Sequence, residues 1–137
     1  MVLPSADEIF LLLPRNTRAP GRARALLRER LAAWEVEAEP TATAELLLSE
    51  LVTNAVRHAR APQGRDIGVR LARRDGVLRV EVSDAGPPVT LTPQVVADED
   101  ERGRGLAIVS ALAERWGCCP RRHGIGKAVW AEVAVRE

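Results

Sequence analysis

Cysteine, lysine and aromatic residues are all scarce in this 137-residue chain: two cysteines, a single lysine and 3% aromatics. Cys118 and Cys119 are neighbours, which brings their Cα atoms closer than the preferred disulfide span. They also lack the C-x-x-C spacing of a redox or zinc site. A disulfide scaffold and a thiolate metal site are therefore excluded, and both thiols are read as reduced strand residues. Net charge is equally scarce. With 20 basic and 19 acidic side chains the formal charge is +1, so whole-chain electrostatics gives no reason to expect nucleic acid or an anionic membrane as a partner. No apolar run approaches the about 18 residues of a membrane span, and Val2-Leu3-Pro4 begins nothing like a signal peptide. These absences point to a cytoplasmic protein. Nineteen arginines beside the lone Lys127, with abundant alanine, suggest a GC-rich bacterial genome.

What is present suits a folded domain. Hydrophobic residues at 46% and charged residues at 28% argue against disorder. The length fits one domain spanning 1–137, long enough to bury roughly two-thirds of its unfolded surface without a staple. Ile9 to Leu13 reads as a first strand closed by Pro14. Ala23, Leu26, Leu27, Leu31 and Trp34 have helical spacing over 19–34, with Thr17 as a candidate cap. A second helix is expected from about Thr43 to Ala59, ended by Ala61-Pro62-Gln63-Gly64. The period then changes to two. Ile67, Val69 and Leu71, then Leu78, Val80 and Val82, alternate with polar or small residues around Asp75-Gly76, which predicts a hairpin. Residues 87–102 read as loop, Leu106 to Trp116 as a third helix stopped by Gly117, and the rest as a closing hairpin around Gly124 and Gly126. The order β-α-α-β-β-α-β-β predicts an α/β two-layer sandwich: a mixed, mostly antiparallel sheet with helices on one face.

Three segments carry candidate chemistry. On the second helix, Leu48, Leu51, Val52, Ala55 and Ala59 form a core stripe, while Glu50, Asn54 and Arg57 stand opposite at i, i+4 and i+7; a solvated helix face is the ordinary account, but Asn is a poor helix former with no local reason to be there. Asp84-Ala85-Gly86 follows a strand, where it can be a turn or a carboxylate that accepts a hydrogen bond from a ligand amine, with Gly86 permitting close approach. Gly103-Arg104-Gly105 opens a helix whose free N–H groups and dipole favour phosphate. Other nucleotide motifs fail: Gly126-Lys127 lacks the first glycine and the Ser/Thr of a P-loop, and 103–105 lacks the third glycine of a dinucleotide fingerprint. His58 and His123 are isolated and read as surface or structural residues.

Taken together, Glu50-Leu-Val-Thr-Asn54-Ala-Val-Arg57-His58, Asp84-Ala-Gly86 and Gly103-Arg-Gly105-Leu106 resemble, in order and spacing, the N, G1 and G2 boxes of the GHKL ATPase superfamily, whose ATP-binding domain has the Bergerat-type fold. With Ala23-Arg24 upstream and a short lid, the chain is most similar to the bacterial anti-sigma factor serine/threonine-protein kinases. The resemblance implies ATP and Mg²⁺ as cofactors: Asn54 as the metal ligand, Glu50 as general base, Asp84 as acceptor of the adenine amino proton with Gly86 beside it, Gly103 and Gly105 as backbone phosphate donors, and Arg57 and Arg104 as phosphate-side charges. It further implies that Arg24 contacts a protein partner. That partner set is a sigma factor, sequestered, and an anti-anti-sigma (STAS-type) protein, the candidate substrate for serine phosphorylation, with the chain pairing as a homodimer. Two departures from the family pattern stand out. Pro88, after Pro87, replaces the second glycine of D-x-G-x-G, which implies a stiffer lid, and Ala128 stands where a threonine near the adenine is common. The lid also carries Asp98-Glu99-Asp100-Glu101, read as a solvated acidic run. The alternative function is a catalytically weak, nucleotide-dependent protein-binding module in another bacterial signalling system.

Overall fold

A computed structural model describes residues 7–58, 66–84, 101–120 and 126–135, with the backbone alone at 58, 101–106 and 120. The elements follow the expected order: β1 (Glu8–Pro14), α1 (Ala19–Ala33), α2 (Ala38–His58), β2 (Asp66–Arg74), β3 (Val77–Asp84), α3 (Glu101–Leu112), β4 (Arg115–Pro120) and β5 (Lys127–Ala134). The five strands lie in the order β1-β2-β3-β5-β4. Every pairing is antiparallel, so the expected mixed sheet is, among the described residues, wholly antiparallel. β5 threads between β3 and the edge strand β4, and α3 forms the crossover to that edge.

Alternation builds the two layers. Along β3, Leu78, Val80, Val82 and Asp84 are buried while Val77, Arg79, Glu81 and Ser83 are half-buried. Ile67, Val69 and Leu71 on β2 and Val129, Ala131 and Val133 on β5 continue the buried set. Against it pack α2, through Leu47, Leu48, Leu51, Val52 and Ala55, and α3, through Val109, while Ala23, Leu27 and Leu31 seal α1 onto α2. The β2–β3 turn is Asp75-Gly76, with φ of 54° and 76°. That left-handed pair is the twist-matched two-residue hairpin connection.

Three boundaries differ from expectation. α2 begins at Ala38 rather than near Thr43, because Pro40 sits in the first turn, where its missing N–H has no intrahelical partner to lose. α1 is capped by Arg18 without a side-chain bond; Thr17 is not the cap, and the Arg18 N–H donates instead to Asn16 Oδ1 at 2.9 Å. α3 ends at Leu112 rather than at Trp116. The chain there turns into the sheet: the Glu114 N–H donates to the Glu132 carbonyl at 2.8 Å, and Trp116 pairs with Ala131 in β4. Trp116 and Cys118 pack against the core on alternate residues, a period of two that the helical reading of Trp116 overlooks. Gly117 is accordingly a strand residue, not a helix stop. The expected Ala61–Gly64 break, the 87–100 loop with Pro87 and Pro88, Ala59, His123 and Gly124 lie outside the described residues.

Candidate functional site

Asp84 closes β3 on the helix-covered face and is only 2% exposed. Lys127 opens β5 as its Cα partner in the ladder, and in-register residues of an antiparallel pair share a sheet face. The Lys127 Nζ donates to Asp84 Oδ1 at 3.2 Å. Among the described residues these are the two buried charged side chains. A buried ion pair loses in desolvation much of what it gains in attraction, so stability alone is a poor reason for this pair among valines. Lys127 is the residue that sequence reasoning missed, having been weighed only as the end of a failed P-loop. The signal was there: Lys127 is in phase with Val129, Ala131 and Val133, an inward phase in which a lysine is out of place.

Ala128 lies on the other side. It pairs with Ser83, one residue out of phase with Asp84, and so belongs to the open face of the sheet. The position noted for its missing threonine therefore faces away from Asp84, and the β5 side chain beside Asp84 is that of Lys127.

α2 packs over β3 and β5 and presents its apolar stripe to them. Glu50 and Asn54, one turn apart, are half-buried on its flank, and Arg57 is exposed. Among the described residues the side chains of Glu50 and Asn54 make no hydrogen bond or ion pair, which leaves a carboxylate and an amide oxygen on adjacent turns available to a ligand. Ser49, next to Glu50, accepts a hydrogen bond from Arg24 Nη1 at 2.9 Å. Arg24 is thus a half-buried brace between α1 and α2. The neighbouring Arg28 is exposed and pairs with Glu45 at 2.6 Å.

α3 packs on α2 and starts at Glu101, two residues before Gly103. The Gly103-Arg104-Gly105 segment therefore lies inside the helix rather than ahead of it. Gly103 falls in the first turn, whose N–H groups lack intrahelical acceptors. The side chain of Arg104 and the whole of Gly86 lie outside the described residues. No group of three His, Cys, Asp or Glu side chains that could hold a metal occurs among the described residues. No described helix is long and apolar enough to cross a membrane.

The family model for the histidine kinase-like ATPase domain matches residues 13–133. The chain belongs to the histidine kinase-like ATPase family. An ATP-binding domain is what membership implies, and the match runs from the end of β1 almost to the end of β5. An uncharacterized Streptomyces coelicolor protein, SCO4941, is 38% identical over 89 residues, covering 64% of this chain and 81% of that one. A solved structure of the RsbU and RsbW domains of Rv1364c from Mycobacterium tuberculosis superposes with a TM-score of 0.69 at 25% identity, covering 95% of this chain and 33% of the other. This ATPase chain thus spans about a third of that structure's chain.

Proposed function

We propose that the chain binds ATP with Mg²⁺ and works in the bacterial cytoplasm as an anti-sigma regulator, sequestering a sigma factor and phosphorylating a serine of an anti-anti-sigma (STAS-type) protein. The observation that carries the reading is a buried carboxylate, Asp84, on the sheet face that α2 covers, with Glu50 and Asn54 unengaged on that helix's flank. In this reading Asp84 accepts the adenine amino hydrogen. The Asn54 amide is a hard oxygen donor of the kind that would hold Mg²⁺, and the ion would supply charge neutralisation to the phosphates. Glu50 takes the proton of the attacking hydroxyl. Gly103, in the first turn of α3, offers a backbone donor to phosphate, Gly86 and Gly105 carry no side chain to obstruct its approach, and Arg57 and Arg104 supply charge. The likeness to the RsbU/RsbW chain supports regulatory proteins as partners; the reading adds pairing as a homodimer and Arg24 as the partner contact on α1.

One experiment separates the parts. Titration calorimetry with ATP and Mg²⁺ is paired with phosphoserine formation on a candidate anti-anti-sigma protein, for the unmodified chain, Asp84→Asn and Glu50→Gln. Loss of a charge-assisted hydrogen bond costs about 1.5–3 kcal/mol, so Asp84→Asn is expected to weaken ATP binding about ten- to a hundredfold. Because that variant leaves Lys127 buried beside a neutral amide, its folding is checked by thermal unfolding. Glu50→Gln is expected to keep ATP affinity and lose phosphoryl transfer by roughly 10²–10⁴-fold. No ATP binding by the unmodified chain sinks the nucleotide reading. Tight ATP binding with equal, background transfer in all forms rejects the kinase and leaves the nucleotide-dependent binding module.

A further inference from the structure

The Lys127 ammonium has three donors and a side chain only 10% exposed. Among the described residues the acceptor it meets is Asp84 Oδ1 at 3.2 Å. A buried cation is costly unless paired and hydrogen-bonded, so one carboxylate oxygen leaves donors in want of acceptors. The ladder register places this amine beside Asp84 on one face of the sheet. An acceptor and a donor held side by side are the complement of a ligand edge that carries a donor beside an acceptor. Adenine has such an edge: its amino group is flanked by ring nitrogens that accept hydrogen bonds.

We propose that Lys127 is a base-reading residue of the nucleotide site, donating to a ring nitrogen next to the adenine amino group while Asp84 accepts from the amino group itself. The inference rests on the nucleotide reading above and adds to it a residue and a specificity. Two charged groups rather than one then define which base edge fits. A base whose ring acceptor is replaced by carbon loses one of two contacts and leaves the ammonium short of a partner, which a water-excluding site penalises more than the loss of an exposed bond.

The test is a cycle of ligand and protein changes, read by titration calorimetry: ATP, 1-deaza-ATP and 7-deaza-ATP against the unmodified chain and Lys127→Met. The expected result is that one of the two deaza analogues binds the unmodified chain about ten- to a hundredfold more weakly than ATP, and that Lys127→Met binds ATP and that analogue alike. Which analogue is affected identifies the nitrogen. If Lys127→Met fails to fold by circular dichroism, Lys127→Gln, which keeps a donor for Asp84, takes its place and should show a reduced difference between ATP and the analogue. Equal affinity of the unmodified chain for all three nucleotides overturns the role of Lys127 and leaves the nucleotide reading standing. Undiminished discrimination in the Lys127 variant assigns the nitrogen to another group and also overturns it. Failure of the unmodified chain to bind ATP overturns both.

Discussion

The covered and open faces of the same sheet satisfy their residues by different physics. On the covered face, aliphatic side chains from β2, β3 and β5 meet the helices and are almost wholly removed from water. On the open face, Phe10 and Leu12 remain 51% and 57% exposed, and the large rings are shielded by arginines instead of a second layer. Arg70 lies over Phe10 at 5.2 Å, and Arg79 and Arg115 over Trp130 at 4.3 and 5.9 Å. The same arginines pair with Glu8 and Glu132 at 3.1 to 3.8 Å. Each such contact contributes about 1 kcal/mol or less at an exposed site, whereas a buried leucine contributes several times that. Polar residues are the rule on the open face and the exception on the covered one. Asp84 and Lys127 are that exception, and their place at the ends of β3 and β5 is where the covered face stops serving only as core.

The sharpest way to break the contrast is to truncate one residue on the covered side. Leu71, fully buried and paired with Ile9 and Val80, should cost about 2–5 kcal/mol when changed to alanine, read as a lower midpoint in urea unfolding. A loss under about 1 kcal/mol would show that this face is not close-packed. The open face should respond less, and to an addition instead of a deletion. A Cβ on Gly117 would sit 2.8 Å from Trp130 Cζ2 and 3.0 Å from Cε2, so Gly117→Ala must push the indole from beneath its arginines. Overpacking of this kind costs about 1–3 kcal/mol, and the half-exposed ring has room to yield. Thermal unfolding and a change in tryptophan emission together check it; an unchanged melting temperature would mean the indole moves freely and its arginine stacks hold nothing.

The contrast also explains what could be read from sequence. Period-two alternation in 67–71 and 78–82 marks β2 and β3, two of the three interior strands, because each has one wet and one dry face. The helix stripe of α2 placed Glu50 and Asn54 away from the core for the same reason. Legibility failed where a local signal had two meanings: Trp116 fits the spacing of a helix and of a strand. It failed differently at the site. Register between β3 and β5 is a long-range fact, so nothing within reach of Asp84 in sequence announced Lys127 beside it, while Ala128, one residue on, faces the other side. In a strand, one residue is the difference between the two faces.

The smallest effect, and the most local test of that one-residue rule, lies in the adjacent cysteines of β4. Cys118 packs against the core and is half-buried, while Cys119, one residue on, is exposed. Burial pushes the Cys118 thiol above its ordinary value of 9.0; Lys127 pulls the other way, and Cys119 and Asp84 add to the rise. Since the thiolate is the reactive form, iodoacetamide at about pH 8 should label Cys119 first in the native protein, with Cys118 following only on unfolding in urea, as peptide mass spectrometry would show. The same shift has a thermodynamic sign. The folded state keeps the Cys118 proton at a pH where the unfolded chain releases it, so this contribution to stability is present below pH 9.0 and is lost as the pH rises through the folded value. Cys118→Ala should therefore flatten, slightly, the alkaline decline of the urea midpoint relative to the unmodified chain. Equal labelling of both thiols in the native state would place them on equivalent surfaces and break the alternation that separates the two faces of the sheet.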